Sequence, residues 1–447
     1  MKSHALRCRK YSSVSPLLLA AILSASLVSG CGGDADPAAA GADGAAAQTS
    51  ATPVQSPAQA PDPDAAARHS VPSEYSSRDS AGVQIIETAG SAWTAESVWT
   101  IDPQPIADLG GSRAPGTALH GAGRIVPLSD GGFAVAHRRG NQIVWFDANG
   151  RFLHTAGRFG RSPGGFMILG DVLAMPGDSV LAIDPEIERL SVFGPDGEFA
   201  RLESIDFVEA GSPSALGVLP DGSILGMREF GFEDGMTAGV NRDTLPFVIL
   251  QPGGGYENTA SAFPTSEHWL FNFGDGLAGG ALPFGSESEV AATADGFWFG
   301  SGDAPTVTYQ AADGRLLKIL RWDSEPDSLP AERVAAFKAA AMATVAGNPP
   351  AVAEIRNFLQ DMPFPATSPY TGRMIVDPDG ALWIGPYRAW TEPAGGLWTV
   401  FDADGRRLGM VDIPAGFEIR AIGPDRVCGV WTDDERIESV RVYALNR

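Results

Sequence analysis

Side chains that could carry out catalysis or bind a metal are few in this chain and form no recognised motif. Beyond residue 80 the histidines are His120, His137, His154 and His268, without an HExxH, CxxC, GxSxG or phosphate-loop motif. His120 and His137 are expected at one end of the same repeat, but two histidines without a partner carboxylate make an incomplete zinc site. The "DADG" and "DPDG" strings lack the context of a calcium loop. The sequence therefore predicts no catalytic residue, no metal and no cofactor.

Side chains suited to recognition are better represented. Arginine binds anions through paired hydrogen bonds, and aromatic planes accept sugars or apolar side chains. When the strands are placed as described below, several such residues lie around one mouth of the fold. Their alternative role is to form salt bridges and packing contacts between repeats. The candidate ligand-binding residues are His137, Asp184, Arg228, Asp303, Tyr387, Arg388, Trp390, Trp431 and Asp433, with Trp269 on an adjacent loop.

A repeated pattern of short strands and tight turns would position these residues. The stretch "VWFDANGRFLHTAGR" from Val144 returns as "SVFGPDGEFARL", "VTYQAADGRLLKIL" and "TVFDADGRRLGMV". Each copy joins runs rich in Val, Ile and Phe through Asp-Gly or Asn-Gly, the strongest short-range hairpin signal. The aspartates of the first turn in each unit are Asp130, Asp178, Asp221, Asp295, Asp379 and Asp425.

Units of four short strands and roughly 40–50 residues are typical of β-propeller blades. The fold class predicted for residues 81–447 is all-β, a six-bladed β-propeller of four-stranded antiparallel blades. The last copy ends after three strands, so we predict that residues 104–110 supply its fourth strand and close the ring, which removes exposed sheet edges. The run "VQIIET" at 83–88 is predicted to be a further edge strand.

A helical insertion is predicted between blades four and five, at 323–372. Val334, Phe337 and Ala341 recur at helical spacing, and Ser328 is expected to cap the first helix. The insertion would be a helical hairpin packed on the propeller, or else a lid or partner groove. In each blade the strands are labelled a to d from the axis outward. All long insertions fall on the face that carries the b–c loops and the crossings between blades. We expect ligands there, unless insertions merely accumulate on the more tolerant face.

A resemblance to a known family covers nearly all of this domain. The stretch "GRFGRSPGGF…VLAMPGDSVLAIDPEIERLSVFGPDGEFARL" is similar to the NHL-type propeller repeat. With "DSAGVQIIE", "LQDMPFP" and "GVWTDDERIESVRVYAL", the chain from about 82 to 447 resembles the six-bladed β-propeller lipoproteins of environmental bacteria. The resemblance implies the architecture and no activity. Propeller hydrolases of the gluconolactonase type hold an axial metal with acidic and amide side chains. Here the inner strands, interpreted as "IVPL", "VLAM", "LGVL", "VAAT", "MIV" and "RAIG", have no carboxylate at their centres.

The N-terminus has the pattern of an exported lipoprotein. Residues 1–30 combine a basic start with the apolar run "SPLLLAAILSASLV", and "VSGC" resembles the lipobox in which Cys31 is lipidated. An ordinary secretory signal is the alternative. Residues 31–80, poor in large apolar side chains, are predicted to be a disordered linker. The net charge of −22 excludes a basic nucleic-acid-binding face.

These patterns predict a binding or scaffolding module for a glycan, a peptide or a partner protein at the loop-rich face. It would be a monomer in the bacterial cell envelope, favoured at the outer membrane, touching the membrane only through its lipid anchor. The alternatives are a hydrolase or lyase, gluconolactonase-like or metal-assisted, that uses His120, His137 and Arg228, and a purely structural envelope protein.

Overall fold

The computed structural model describes residues 73–94, 97–109, 119, 121–203, 210–211, 213–228, 236–273, 276–433 and 437–447. The predicted signal peptide, Cys31, His120 and most of the predicted linker lie outside these ranges. Over the described residues the fold is built almost entirely from β-strands, with two α-helices. Neither helix has the length and apolarity needed to cross a membrane.

Three strands precede the repeats and later join other sheets: β1 (Glu74–Ser80), β2 (Val83–Ala89) and β3 (Thr100–Leu109). The first sheet contains β4 (Ala122–Pro127), β5 (Phe133–His137), β6 (Gln142–Phe146) and β7 (Phe152–Ala156). The second contains β8 (Asp171–Met175), β9 (Ser179–Asp184), β10 (Arg189–Phe193) and β11 (Phe199–Glu203). Short 3₁₀ helices, Arg138–Gly140 and Pro176–Asp178, follow β5 and β8.

The third sheet is interrupted by a separate small sheet. It contains β12 (Ser214–Val218), β13 (Ile224–Met227), β15 (Thr244–Leu250) and β16 (Tyr256–Pro264). Strand β14 (Gly239–Asn241) pairs instead with β17 (His268–Phe273), which pairs on its other side with β18 (Gly276–Ala281). The fourth sheet contains β19 (Glu289–Ala292), β20 (Gly296–Gly300), β21 (Thr306–Ala311) and β22 (Leu316–Trp322). Helices α1 (Ala331–Thr344) and α2 (Pro349–Gln360) follow it.

Two further sheets complete the set. The fifth contains β23 (Met374–Val376), β24 (Leu382–Ile384), β25 (Gly396–Phe401) and β26 (Arg407–Ile413). The sixth contains β27 (Phe417–Ile422), β28 (Arg426–Thr432) and β29 (Glu438–Asn446), with β3 as its fourth strand.

The arrangement is propeller-like, as the repeats predict. The inner strands β4, β8, β12, β19, β23 and β27 contact one another in that order, and β27 also contacts β4. Apolar side chains fill the spaces between neighbouring sheets; for example, Ile125 and Phe133 of the first sheet pack with Val430 of the sixth. The core is therefore distributed between the sheets, and the axis is left to the side chains of the inner strands.

Asp-Gly turns hold the strands of each sheet together. The side chain of Asp130 accepts a hydrogen bond from the backbone N–H of Gly132 at 2.8 Å, and Asp402 accepts one from Arg406 at 2.8 Å. Gly150 shows why these turns need glycine, because its φ of +76° lies in the left-handed region. The hairpin signal in the sequence is thus explained by side-chain-to-backbone bonds within single turns.

The chain termini join in the sixth sheet. Strand β3 pairs antiparallel with β29, with Leu109 opposite Val440 and Thr100 opposite Asn446. The closing strand predicted at 104–110 is confirmed, although it begins at residue 100. The predicted edge strand at 83–88 is β2, which pairs parallel with β22 on the outside of the fourth sheet. Residues 74–80, assigned from the sequence to the linker, form β1 on the outer side of β2. Their polar composition reflects an exposed sheet edge.

The helices between the fourth and fifth sheets pack onto the fold. Phe337 of α1 and Phe358 of α2 are buried with Phe284 in one apolar cluster. The predicted cap is wrong, because Pro330 occupies the cap position of α1 and Ser328 instead forms a bridge with Thr367. Asn348 caps α2 by accepting a hydrogen bond from the N–H of Ala351 at 3.4 Å.

The C-terminal residue is bound to the first turn of the fifth sheet. One Nη atom of Arg447 donates to the buried carboxylate of Asp377 and the other to the exposed carboxylate of Asp379, each at 2.6 Å. Asp377 also accepts bonds from the indole N–H of Trp383 and the backbone N–H of Ala381. The same arginine therefore has one buried and one exposed partner.

We predict that Asp377→Ala lowers the free energy of unfolding by about 3–5 kcal/mol, because it leaves a guanidinium and an indole N–H without their buried acceptor. Asp379→Ala is the matched control and should cost less than about 1 kcal/mol, since its carboxylate is exposed to water. Urea unfolding of the two variants and the parent chain measures the difference. Equal losses would contradict the role assigned to the buried pair.

Candidate functional site

Charged side chains surround a cavity of about 400 Å³ on the axis, where inner strands converge. We call it the axial cavity. Its wall also includes apolar side chains of β12, β19 and β23, such as Leu216 and Ile375. The charged residues that line it are Arg124, Glu287, Glu289, Arg373, Arg388, Glu418 and Arg420.

The cavity lies toward the loop-rich face. Each inner strand starts at the end where the chain crosses from the preceding sheet, and Glu289 is the first residue of β19. Arg373 directly precedes β23, and Glu418 is the second residue of β27. Arg388 follows β24 on the loop that leads to β25, which emerges at the same end. The charges therefore gather at the face that the sequence predicted for a ligand.

On one side of the axis, the charges are already paired within the protein. The guanidinium of Arg124 donates to Asp171 at 3.0 Å and to the carbonyl oxygens of Ala215 and Leu216 at 3.2 Å each. Arg138 adds a longer ion pair to Asp171 at 3.8 Å. These bonds link the first three sheets and leave Arg124 little capacity for a ligand.

Glu418 is held between two arginines. Its carboxylate oxygens accept hydrogen bonds from Arg373 at 2.8 Å and from Arg420 at 2.9 Å. Burial alone would raise the pKa of Glu418, but the guanidinium groups of Arg420, Arg373 and Arg388 outweigh it and lower that pKa below its ordinary value. Glu418 is thus an anion with two cationic partners, so this part of the wall retains a net positive charge.

Glu287 and Glu289 form a second part of the cavity wall, which is acidic where the part around Glu418 is positively charged. Burial raises the pKa of both carboxyl groups, and the charge of Glu287 contributes to raising that of Glu289 from its ordinary 4.5 to about 7. Arg373 acts in the other direction on Glu289. Near neutral pH, Glu289 therefore exchanges between its protonated and ionised forms.

Arg388 lines the positively charged part of the cavity, and its guanidinium has no partner within the described residues. Within the described part of the chain, its guanidinium makes no hydrogen bond or ion pair, and burial lowers its pKa. Arginine remains charged in proteins, so five N–H donors stay open toward the cavity or its water. An open guanidinium in a concave site is a ready anion-binding group.

Neighbouring bonds fix the backbone that carries Arg388. The hydroxyl of Tyr387 accepts a hydrogen bond from the N–H of Phe284 at 2.7 Å. The N–H of Ala389 donates to Glu392 at 2.8 Å, and Glu392 is itself held by both Nε and Nη2 of Arg333 in α1. Helix α1 therefore positions a cavity arginine, although no residue of α1 or α2 lines the cavity.

The interpretation of the inner strands as lacking central carboxylates missed this cluster. Five of the six strands begin one to three residues earlier than the runs chosen from the sequence, so Asp171, Glu289 and Glu418 belong to β8, β19 and β27. An apolar run marks the middle of an inner strand, whereas these carboxylates stand at its start and face the axis. A charged residue stands directly before four of the six runs (Arg124, Asp171, Glu289 and Arg373) but not before the other two, so this signal is incomplete and misses Glu418.

Several predicted mouth residues have structural roles instead. Asp184 is fully buried and accepts hydrogen bonds from four backbone N–H groups, with the shortest, from Met167, at 2.6 Å. Asp303 pairs with Arg242 at 2.9 Å. Asp433 accepts a bond from the N–H of Ile437 at 2.7 Å.

The predicted aromatic planes are also used for packing. Trp390 packs edge-on against Phe337 with ring centroids 5.5 Å apart, and the indole N–H of Trp269 donates to the carbonyl of Phe358 at 3.0 Å. Trp431 has the guanidinium of Arg441 over its ring at 3.4 Å. Among the aromatic and charged candidates predicted from the sequence, Arg388 alone is found in the described wall of the axial cavity.

The predicted catalytic cluster gains no support from the described residues. His137 ends β5 in the first sheet, whereas Arg228 follows β13 in the third and donates to the carbonyl of Ala210 at 2.9 Å. His120 lies outside the described residues. In the described ranges, no group of three His, Cys, Asp or Glu side chains is placed to hold a metal ion.

We predict that Glu289→Gln becomes more stabilising, relative to the parent chain, as the pH rises from about 4.5 to 7. The folded protein holds the Glu289 proton more tightly than the unfolded chain, so the parent loses stability as the pH rises through that window. Thermal midpoints of both proteins at pH 5, 6, 7 and 8 measure the difference. Glu332→Gln, on an exposed position of α1, is the control and should give a flat difference. A flat difference for Glu289→Gln would contradict the raised pKa.

No protein-family model matches this chain, and no curated protein matches it. Among solved structures, it is similar to a protein of Bacteroides fragilis NCTC 9343 described as exported, at 13% identity and a TM-score of 0.43, covering 81% of this chain and 99% of that one. It is also similar to a streptogramin B lyase, at 10% identity and a TM-score of 0.40 over 77% and 98% of the two chains. A gluconolactonase of Xanthomonas campestris shares 13% identity and a TM-score of 0.35 over 70% and 82%. At these values the similarities assign no activity to this chain.

Proposed function

We propose that this chain is a lipid-anchored, six-bladed β-propeller that binds a ligand in its axial cavity, outside the cytoplasmic membrane. Inner strands that contact one another in cyclic order support the blade count. The lipobox-like "VSGC" supports lipidation at Cys31. The chain would act as a monomer anchored to the outer membrane, with its loop-rich face directed to the ligand.

The open guanidinium of Arg388 is the observation that carries the binding function. Arg388 is half-buried, and a cation that loses part of its hydration without gaining a protein partner has a free-energy cost, which a ligand anion would offset. A cavity of about 400 Å³ is within the range of small-molecule sites. Of the ligand classes predicted from the sequence, this favours the end of a peptide or glycan over the broad surface of a partner protein, and it adds small polar molecules to them.

A hydrolase or lyase in the same cavity is the second candidate. It is favoured by Glu289, whose pKa of about 7 suits a general acid or base at neutral pH. The residues would then be Glu289 and Arg388, not the histidines. Mass spectrometry of a bound ligand after incubation separates the two functions, because an enzyme releases a product of altered mass and a binding module returns its ligand unchanged.

We predict that ligands which raise the thermal midpoint of the parent chain no longer do so for Arg388→Gln. The screen uses amino acids, short peptides, and mono- and oligosaccharides, each at millimolar concentration. Arg321→Gln, an exposed arginine on the outer strand β22, is the matched control and should keep every shift. Shifts that survive Arg388→Gln unchanged would remove the axial cavity as the site.

We also predict that Cys31→Ser moves the protein from the membrane fraction to the soluble extract and abolishes metabolic labelling with a fatty acid. A single thiol is the attachment point in the lipobox pattern, so no other residue can replace it. Cys8→Ser, within the predicted signal peptide, is the control and should stay labelled. Labelling of the Cys31→Ser protein would contradict the lipid anchor.

A further inference from the structure

The axial cavity has two walls of opposite charge. On the fifth and sixth sheets, Arg373, Arg388 and Arg420 stand against the single carboxylate of Glu418, which leaves an excess of two positive charges. We call this the guanidinium wall. On the fourth sheet and the crossing that leads to it, Glu287 and Glu289 form the carboxylate wall.

The two walls do not neutralise each other by direct contact. Within the described residues, neither Glu287 nor Glu289 forms an ion pair, since no arginine or lysine nitrogen approaches their oxygens within salt-bridge distance. Arg388 is likewise unpaired, and the Nε atom of Arg420 is buried without a hydrogen-bond partner. Arg388 therefore offers open donors on one side of the cavity, and the carboxylates of Glu287 and Glu289 stand without an ion pair on the other.

A ligand with one kind of charge would satisfy only half of this site. An anion on the guanidinium wall would leave both glutamates without a cationic partner, with only the backbone N–H of Met374 donating to Glu289, and would add a negative charge beside them, which Coulomb repulsion opposes. A cation on the carboxylate wall would leave the Arg388 donors open. A molecule with both groups supplies acceptors to one wall and donors to the other, and hydrogen bonds in which a partner is ionised are stronger than neutral ones.

We propose that the ligand of the axial cavity is a small zwitterion, an amino acid or short peptide whose carboxylate meets Arg388 and whose ammonium group meets Glu287 and Glu289. This inference rests on the proposed function and names its ligand class. The volume of about 400 Å³ suits a molecule of this size and is too small for a folded partner.

Alanyl-alanine is the probe, with N-acetyl-alanyl-alanine and alanyl-alanine amide as analogues that each lack one charge. Isothermal titration of the full chain should show binding of the parent dipeptide and at least roughly tenfold weaker binding of both analogues. Alanine and trialanine test the separation of the two charges. Heats in buffers of different ionisation enthalpy should show a proton released on binding near pH 7, because an ammonium group favours the ionised form of Glu289.

Variants assign each end of the dipeptide to its wall. Arg388→Gln should weaken the parent dipeptide roughly tenfold or more and leave the already weakened amide nearly unchanged. Glu289→Gln should likewise weaken binding of the parent dipeptide and leave the already weak binding of the acetylated analogue nearly unchanged. Arg321→Gln is again the control, and far-ultraviolet circular dichroism with the thermal midpoint verifies that each variant is folded.

The outcomes separate this proposal from the function on which it rests. If no amino acid or peptide of the screen binds, but a saccharide stabilises the parent chain and fails with Arg388→Gln, the axial binding site stands and the zwitterion is wrong. If the acetylated or amidated dipeptide binds as tightly as the parent, the two-wall assignment is wrong. If no compound of the screen depends on Arg388, both proposals fail.

Discussion

The six inner strands all begin at the same end of one axis, and this convergence governs the site. Side chains at those strand starts are surrounded mainly by one another, so charged groups there lose part of their hydration. Each charge must then be compensated by an opposite charge nearby. Asp171 and Glu418 are compensated by arginines of neighbouring sheets. Within the described residues Glu287, Glu289 and Arg388 form no ion pair, and these three unpaired charged groups define the candidate site.

The features that could be predicted from the sequence are those determined within a few residues. A turn such as Asp130–Gly132 is closed by its own side chain, so its pattern can be recognised without knowledge of the rest of the fold. Strand β3 was predictable for another reason, since a unit with three strands requires a fourth. The family resemblance added the expected architecture, but it contains no information about which side chains face the axis.

The candidate site was harder to predict because its members are far apart in sequence. Glu289 and Glu418 come together only after the ring forms, and neither has a local pattern that distinguishes it from an exposed glutamate. Conversely, Asp184 and Trp431 stand at strand ends, as ligand-binding residues often do, but their partners are the backbone N–H groups of a loop and the guanidinium of Arg441. A residue's position at the mouth is therefore weak evidence that it binds a ligand, whereas a charged group without an ion-pair partner is stronger evidence.

Arg388 connects the two parts of the molecule that the repeats and the insertions build separately. Its position along the axis comes from β24, while the direction of its loop depends on Glu392 and on Arg333 of the inserted helix α1. Burial of Phe337 and Phe358 fixes that helix against the loop-rich face, so the apolar packing of the insertion is transmitted to one charged group in the cavity. The insertion thereby holds a cation in place without an ion pair, since a flexible loop would let Arg388 turn to Glu287 or to bulk water. A binding site of opposite charges stays open only if its walls are rigid enough not to collapse onto each other. In this fold the sheets hold both walls, and helix α1 fixes the loop that carries Arg388.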